Sequence, residues 1–216
     1  MATACIFDMD GVLIDSGPWH RAAWAALLRE LGVEPCQPDF WRLTIGRPAE
    51  EAVSRILGRP VSEWEAWELS RRKRDLYVEL AKSGTPVVAG AEHFVADVAR
   101  RRVPRAVGTS AGGREADRLL REAGLRRHFD IVVSCEDVSA GKPDPEVYVL
   151  AARRLRTAPE DCLVFEDSVV DVQAARRAGM RAVGVTTAYT EAELKEAGAD
   201  RVIANFEGLE WTAFGR

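Results

Sequence analysis

The chain is poor in the residues that carry thiol and imidazole chemistry. Four cysteines occur in 216 residues, at 5, 36, 135 and 162, and none belongs to a CxxC pair. The three histidines are scattered, so no Cys/His cluster has the spacing of a zinc site. The cysteines read as reduced, mostly buried thiols. No apolar run is long enough to span a bilayer. Neither a basic start nor an apolar leader precedes the first strand pattern, so a cytoplasmic protein is expected. Internal repeats and low-complexity tracts are missing too. Charge of one sign is also scarce: 30 Lys and Arg against 34 Asp and Glu leave a formal −4. That balance gives no reason to expect nucleic acid or an anionic membrane as partner. Arginine-rich runs at 71–74 and 100–102 have acidic neighbours, as solvated helix faces do.

What remains is ordinary globular composition, 47% hydrophobic and 30% charged, enough for a core without staples. Ala4 to Phe7 is short, apolar and β-prone, and runs into the polar loop Asp8-Met9-Asp10-Gly11. Helical periodicity follows from Trp19 to Leu31, and the stretch from Asp39 to Lys82 reads as wholly helical, broken at Gly58-Arg59-Pro60. Trp24, Trp41, Trp64 and Trp67 are expected to pack inside that helical block. After Pro86 helices alternate with apolar strands. Helices are expected near 91–102, 112–123, 145–156 and 168–178, and strands at 105–109, 130–134, 161–166, 181–185 and 201–203. Such alternation implies right-handed βαβ units and an α/β fold: a doubly wound, mostly parallel, Rossmann-like sheet. The helical block interrupts it, which predicts an inserted α-helical cap domain at 16–86 and a core domain of 1–15 with 87–216.

In open α/β sheets, sites form beyond the carboxyl ends of the strands. The residues there are Asp8 and Asp10, Thr109 and Ser110, Lys142, and Glu166 with Asp167. Carboxylates and a backbone carbonyl make a hard oxygen site suited to Mg²⁺. A carboxylate can also attack phosphorus, and phosphoryl transfer demands mainly positioning and charge neutralisation, which a metal ion and an ammonium supply. Asp8 and Asp10 share a face while the chain is extended, so both can address one phosphate, Asp8 attacking and Asp10 handling the leaving-group proton. Gly11 permits the tight turn that exposes loop N–H groups to a ligand. Pro143 biases Lys142 toward an extended conformation. Asp171, four residues after Asp167, lies on the same helix face and can hold Lys142 or a metal-bound water.

These segments resemble, in order, the four motifs of the haloacid dehalogenase superfamily. Phe7-Asp8-Met9-Asp10-Gly11-Val12 is similar to its Asp-x-Asp-Gly motif, with an aspartate nucleophile and an aspartate acid/base. Thr109 resembles the second-motif hydroxyl that binds phosphate, and Lys142, in Gly-Lys-Pro-Asp-Pro, the third-motif lysine. Glu166-Asp167-Ser168 resembles the acidic pair that holds Mg²⁺, to which Asp8 and the Asp10 carbonyl would add. The resemblance covers nearly the whole chain and implies a Mg²⁺-dependent phosphatase of a small metabolite. The cap is similar to that of the β-phosphoglucomutase-like group, where His20 and Lys73 match frequent cap residues and a sugar phosphate is the implied substrate. Mutases of that group place an arginine three residues after a glycine. Here Gly46 is followed by Ala49, with Arg47 displaced. Mutases also place a lysine and an asparagine where this chain has Gly112 and Gly113, followed by Arg114. Arg47, Arg114 and Ser110 are therefore candidate contacts for a monophosphate, and a phosphatase is favoured over a mutase. Asp10 and Glu166-Asp167 argue against dehalogenase and phosphonate hydrolase, and a complete set of motif residues argues against a non-catalytic binding module. A monomer is the default expectation.

Overall fold

The computed structural model describes residues 2–35, 39–45, 49–82 and 84–215, without the side chains of 49 and 50. Two units separate by contact: residues up to Asp15 with those from Pro86 onward, and Ser16–Thr85.

The first unit is a six-stranded, wholly parallel sheet. Its strands are β1 (Ala4–Phe7), β2 (Arg105–Gly108), β3 (Ile131–Val133), β4 (Cys162–Glu166), β5 (Arg181–Val185) and β6 (Arg201–Ile203). They lie in the order β3-β2-β1-β4-β5-β6. Chain order reverses at β1, which pairs with β2 on one side and β4 on the other. Helices α4 (Ala91–Arg100), α5 (Gly113–Glu122), α6 (Glu146–Leu155), α7 (Val169–Arg177) and α8 (Glu191–Glu196) fill the remaining connections. The strands are apolar on both faces because both are covered. Alternate residues divide them. Ile6, Ala106 and Val164 share one cluster with Tyr148 of α6 and Val172 of α7. Phe7 and Phe165 face the other way, stacked at 4.9 Å, with Phe94, Phe129 and Phe206 around Phe7. Each aromatic of this kind buries roughly 150–250 Å², so these rings fix the register that aligns the strand ends. Strand ends differ from the expected bounds by at most a residue or two. Helix α8 has no counterpart in the reading of the sequence, although Thr190 and Glu193 form a capping box at its start.

In the second unit, Gly17–Glu30 forms α1, Ala49–Leu57 α2 and Glu63–Ala81 α3. The expected wholly helical stretch over 39–82 is corrected at its start, where Phe40–Thr44 is a 3₁₀ turn, while the expected break at Gly58-Arg59-Pro60 is present, the chain leaving helix after Leu57. Gly58 adopts φ +66°, and Ser62 recaps α3 by accepting from the Glu65 N–H. Trp24 and Trp41 are buried as expected, but Trp64 and Trp67 are 70% and 59% exposed. Of the cysteines, Cys5 and Cys162 are buried and free and Cys135 is exposed; Cys36 lies outside the described residues. Among the described residues no helix is long and apolar enough to cross a membrane.

Candidate active site

The chain reversal at β1 opens a crevice at the carboxyl ends of β1, β2 and β4. Asp8 follows β1 directly, and its N–H donates to the Phe165 carbonyl of β4 at 3.0 Å. Glu166 ends β4 and Asp167 follows it. Thr109 follows β2, held by its N–H to the Val133 carbonyl at 2.9 Å. Its buried Oγ1 accepts from the Ala111 N–H at 3.0 Å, and its own proton has no acceptor among the described residues. Ser168 caps α7 by accepting from the Asp171 N–H at 3.1 Å, which fixes Asp171 on the first turn.

Lys142 joins these pieces. Its ammonium donates to Asp8 Oδ1 at 2.7 Å and Glu166 Oε1 at 2.7 Å, and lies 3.5 Å from Asp171 Oδ2. All four residues are buried. A loop far along the chain from β1 thus meets both central strands. Glu146, on the first turn of α6, ties that loop down by accepting from the Ser139 and Ala140 N–H groups at 2.7 and 2.9 Å. The Lys142–Pro143 peptide is cis.

Electrostatics here are lopsided. Four buried carboxylates, of Asp8, Glu166, Asp167 and Asp171, surround one ammonium. Burial alone would lower the Lys142 pKa, but Asp171, Asp8 and Glu166 carry it well above its ordinary value, so it stays charged. Burial pushes Asp8 up to about 7 against the pull of Lys142, with Asp171 and Asp10 adding to the rise. Glu166 and Asp167 are raised well above the carboxylate range, first by burial and then by neighbouring acids. Asp171 Oδ1 is buried with no hydrogen-bond partner among the described residues. Oxygen atoms of Asp8, Glu166 and Asp171 lie within 4.8 Å of one another, but the Lys142 ammonium occupies the middle of that trio. The excess acid and the all-oxygen donor set fit a further hard cation beside it.

Several participants escaped the reading of the sequence. The Tyr148 hydroxyl donates to Glu166 Oε1, and the Tyr148 ring centre is 5.0 Å from the ammonium. The Asp167 N–H donates to Glu166 Oε2 at 3.2 Å, so both Glu166 oxygens are engaged within the protein. Thr187, just past β5, sets its hydroxyl 2.6 Å from the Gly11 carbonyl and 3.2 Å from Asp167 Oδ2. Gly11 has φ +76°, and a Cβ there would fall 2.0 Å from Asp167 Oδ2, so glycine is required twice over.

The remaining candidates are placed as follows. Ser110 and Arg114 are exposed, after β2 and on the first turn of α5. In the second unit His20 Nδ1 lies 2.5 Å from Lys73 Nζ, and the His20 ring stacks on Tyr77 at 4.5 Å. Arg47 lies outside the described residues.

A family model described as haloacid dehalogenase-like hydrolase matches residues 2–179. The chain is similar to validoxylamine A 7'-phosphate phosphatase of Streptomyces hygroscopicus subsp. limoneus, 36% identical over 100% of this chain and 99% of that protein. It is 37% identical to phosphorylated carbohydrates phosphatase of Thermotoga maritima, over 91% of each. Among solved structures it resembles β-phosphoglucomutase of Clostridium difficile. There the TM-score is 0.84 and the identity 26%, covering 99% of this chain and 95% of that one.

Proposed function

Because this chain belongs to the haloacid dehalogenase-like hydrolase family, we propose that it is a Mg²⁺-dependent phosphatase of a small sugar phosphate, working through an aspartyl-phosphate on Asp8. The observation that carries the reading is the buried contact of Lys142 with Asp8 and Glu166. An ammonium fixed beside a carboxylate at a crevice of the sheet suits a nucleophile that must approach an anionic ester.

Asp8 Oδ attacks phosphorus as the ester P–O bond breaks, and Asp10 gives its proton to the departing alkoxide. Asp10 then takes a proton from water, whose oxygen attacks the aspartyl-phosphate and frees Asp8 and inorganic phosphate. Thr109 turns its spare proton to a phosphate oxygen, and Lys142 offsets the phosphate charge. The raised pKa values of Asp8, Glu166 and Asp167 describe an acid cluster that lacks positive charge. The carboxylates of Asp8 and Asp167 and the Asp10 carbonyl would hold Mg²⁺, with Glu166, already engaged by Lys142 and Tyr148, reaching it through water. Bound there, the ion would neutralise and orient phosphate oxygens. A sugar phosphate is supported by the name of one relative, the phosphorylated carbohydrates phosphatase.

Release of phosphate from p-nitrophenyl phosphate and from a panel of sugar monophosphates tests the reading. Turnover is expected to vanish in Asp8→Asn and to fall by roughly 10²–10⁴ in Asp10→Asn. Chelation should abolish it and Mg²⁺ restore it. Full activity in Asp8→Asn, or in chelator, would remove the proposed nucleophile or the proposed ion. Glucose 1-phosphate with a trace of glucose bisphosphate should yield inorganic phosphate. Accumulation of the 6-phosphate would mark a mutase.

A further inference from the structure

Helix α3 carries two stripes and buries only one. Ala66, Tyr77 and Ala81 are buried, and the helix packs against α1 and α2. The second stripe is Trp64, Trp67, Arg71, Arg74 and Val78, every residue exposed. Steps of three, four, three and four give the 3.5-residue period of a helix that meets another helix. Single exposed apolar residues are normal. Two tryptophans at 70% and 59% exposure on one such stripe are not, and the two indoles alone offer roughly 200–320 Å².

We propose that this face of α3 pairs with the same face of a second copy, antiparallel, about a two-fold axis near Leu69. That register sets Trp64 against Arg74 of the second copy and Trp67 against its Arg71, and symmetry repeats both contacts. Four guanidinium–indole contacts result, and within the stripe no like charges are opposed. The alternatives are worse. Parallel pairing opposes Arg71 to Arg71 and Arg74 to Arg74. An antiparallel register centred on Arg71 brings those two guanidinium groups together on the axis. The Arg71 guanidinium already lies 5.7 Å from the Trp67 ring of its own helix, flanked by Glu68 and Asp75 at 3.7 and 3.8 Å. It is thus held over the Trp67 indole and balanced in charge. With the arginines and Val78 included, the interface totals on the order of 1,000 Å², at the low end of specific contacts. The dimer is therefore weak and concentration-dependent.

Sedimentation equilibrium of the full chain from 1 to 200 µM tests this. The expected result is a monomer–dimer equilibrium with Kd on the order of 10–100 µM. Trp64→Ala with Trp67→Ala should weaken it at least tenfold, and so should Arg71→Glu with Arg74→Glu, which keeps both indoles. Unchanged p-nitrophenyl phosphate turnover shows that a variant is folded; if the tryptophan variant is not, the arginine variant decides. A monomer throughout, or a dimer that neither pair of substitutions weakens, overturns the proposal.

Discussion

Replacing Lys142 by methionine keeps most of the side-chain volume and removes one charge. The ammonium touches carboxylates at 2.7, 2.7 and 3.5 Å. At an effective dielectric of 20, each contact is worth roughly 5–6 kcal/mol before desolvation. Burial of the groups cancels most of that gain. The variant loses the gain and keeps the burial of Asp8, Glu166 and Asp171. Removing one partner of a buried ion pair costs about 3–5 kcal/mol. In a chain of this size 1 kcal/mol moves Tm by about 2–4 °C, so Tm should fall by roughly 6–20 °C near neutral pH. The pH dependence has a definite sign. Asp8 already sits at about 7 with its ammonium in place, and Glu166 is raised as well; without Lys142 both rise further. A carboxyl whose folded pKa exceeds its unfolded value binds more protons folded, so stability is lost as pH rises through the folded pKa. The deficit of Lys142→Met should therefore be largest near pH 8 and shrink toward pH 5. Circular-dichroism melts of both proteins at pH 5, 6, 7 and 8 in chelator measure it, and adding Glu166→Gln should recover part of the loss. A Tm within 2 °C of the parent at pH 8, or a deficit that grows on acidification, would refute the charge argument.

Two further substitutions probe the supports of the site. Glu146→Ala frees the Ser139 and Ala140 N–H groups that pin the loop before Lys142. Exposed amides can turn to water, so Tm should drop only a few degrees, about 1 kcal/mol. Turnover of p-nitrophenyl phosphate should fall about tenfold through misplacement of the ammonium, and Glu146→Gln should keep most of it. Asp137 is held down to about 2, chiefly by the Ser134 N–H and then by Arg154. A depressed carboxyl stabilises above its unfolded pKa and loses that contribution as pH falls through the folded one. Asp137→Asn should therefore melt below the parent at pH 7, with the gap closing between about pH 4 and pH 2. A gap independent of pH would assign the effect to packing instead.

The sheet was legible because buried parallel strands read as apolar runs, and because β1, β2 and β4 give way to polar residues at their carboxyl ends. Asp8, Thr109, Glu166 and Asp167 were found that way, and Lys142 from the loop after β3. Thr187 was within reach of the same rule, since it stands two residues past β5. Tyr148 was not. It lies on the first turn of α6 among apolar residues and reads as a core aromatic; only the packing of α6 on the sheet turns its hydroxyl to Glu166. Helix α8, six residues long, is too short to show a period and had only its capping box to announce it. Trp64 and Trp67 were misplaced for a different reason. Periodicity shows that a helix has an apolar stripe, but α3 has two, and spacing does not say which one the rest of the unit covers.

The choice between hydrolysis and phosphoryl shuttling turns on how a second phosphate would be held. A bisphosphate needs cations at both ends, and the resembling mutases put a lysine and an asparagine at the positions of Gly112 and Gly113. Here the Glu136 carboxylate takes that space. A Cβ on Gly112 would meet Glu136 Oε1 at 3.2 Å, and one on Gly113 would meet Oε2 at 3.3 Å. The Gly113 N–H donates to Oε2 at 3.4 Å. The amide end of α5, which would otherwise attract an anion, is thus already covered by an internal one. A phosphate charge brought within about 4 Å of Glu136 would be repelled by roughly 1–4 kcal/mol, depending on how much water remains. Relative to a lysine at this place the field changes by two charges. A carboxylate repels a phosphate but accepts from a hydroxyl. On the proposed reading, this end of α5 would suit the hydroxyl-bearing part of a monophosphate ester. On the same reading, the field would work against returning a second phosphate group and would leave water as the acceptor from Asp8.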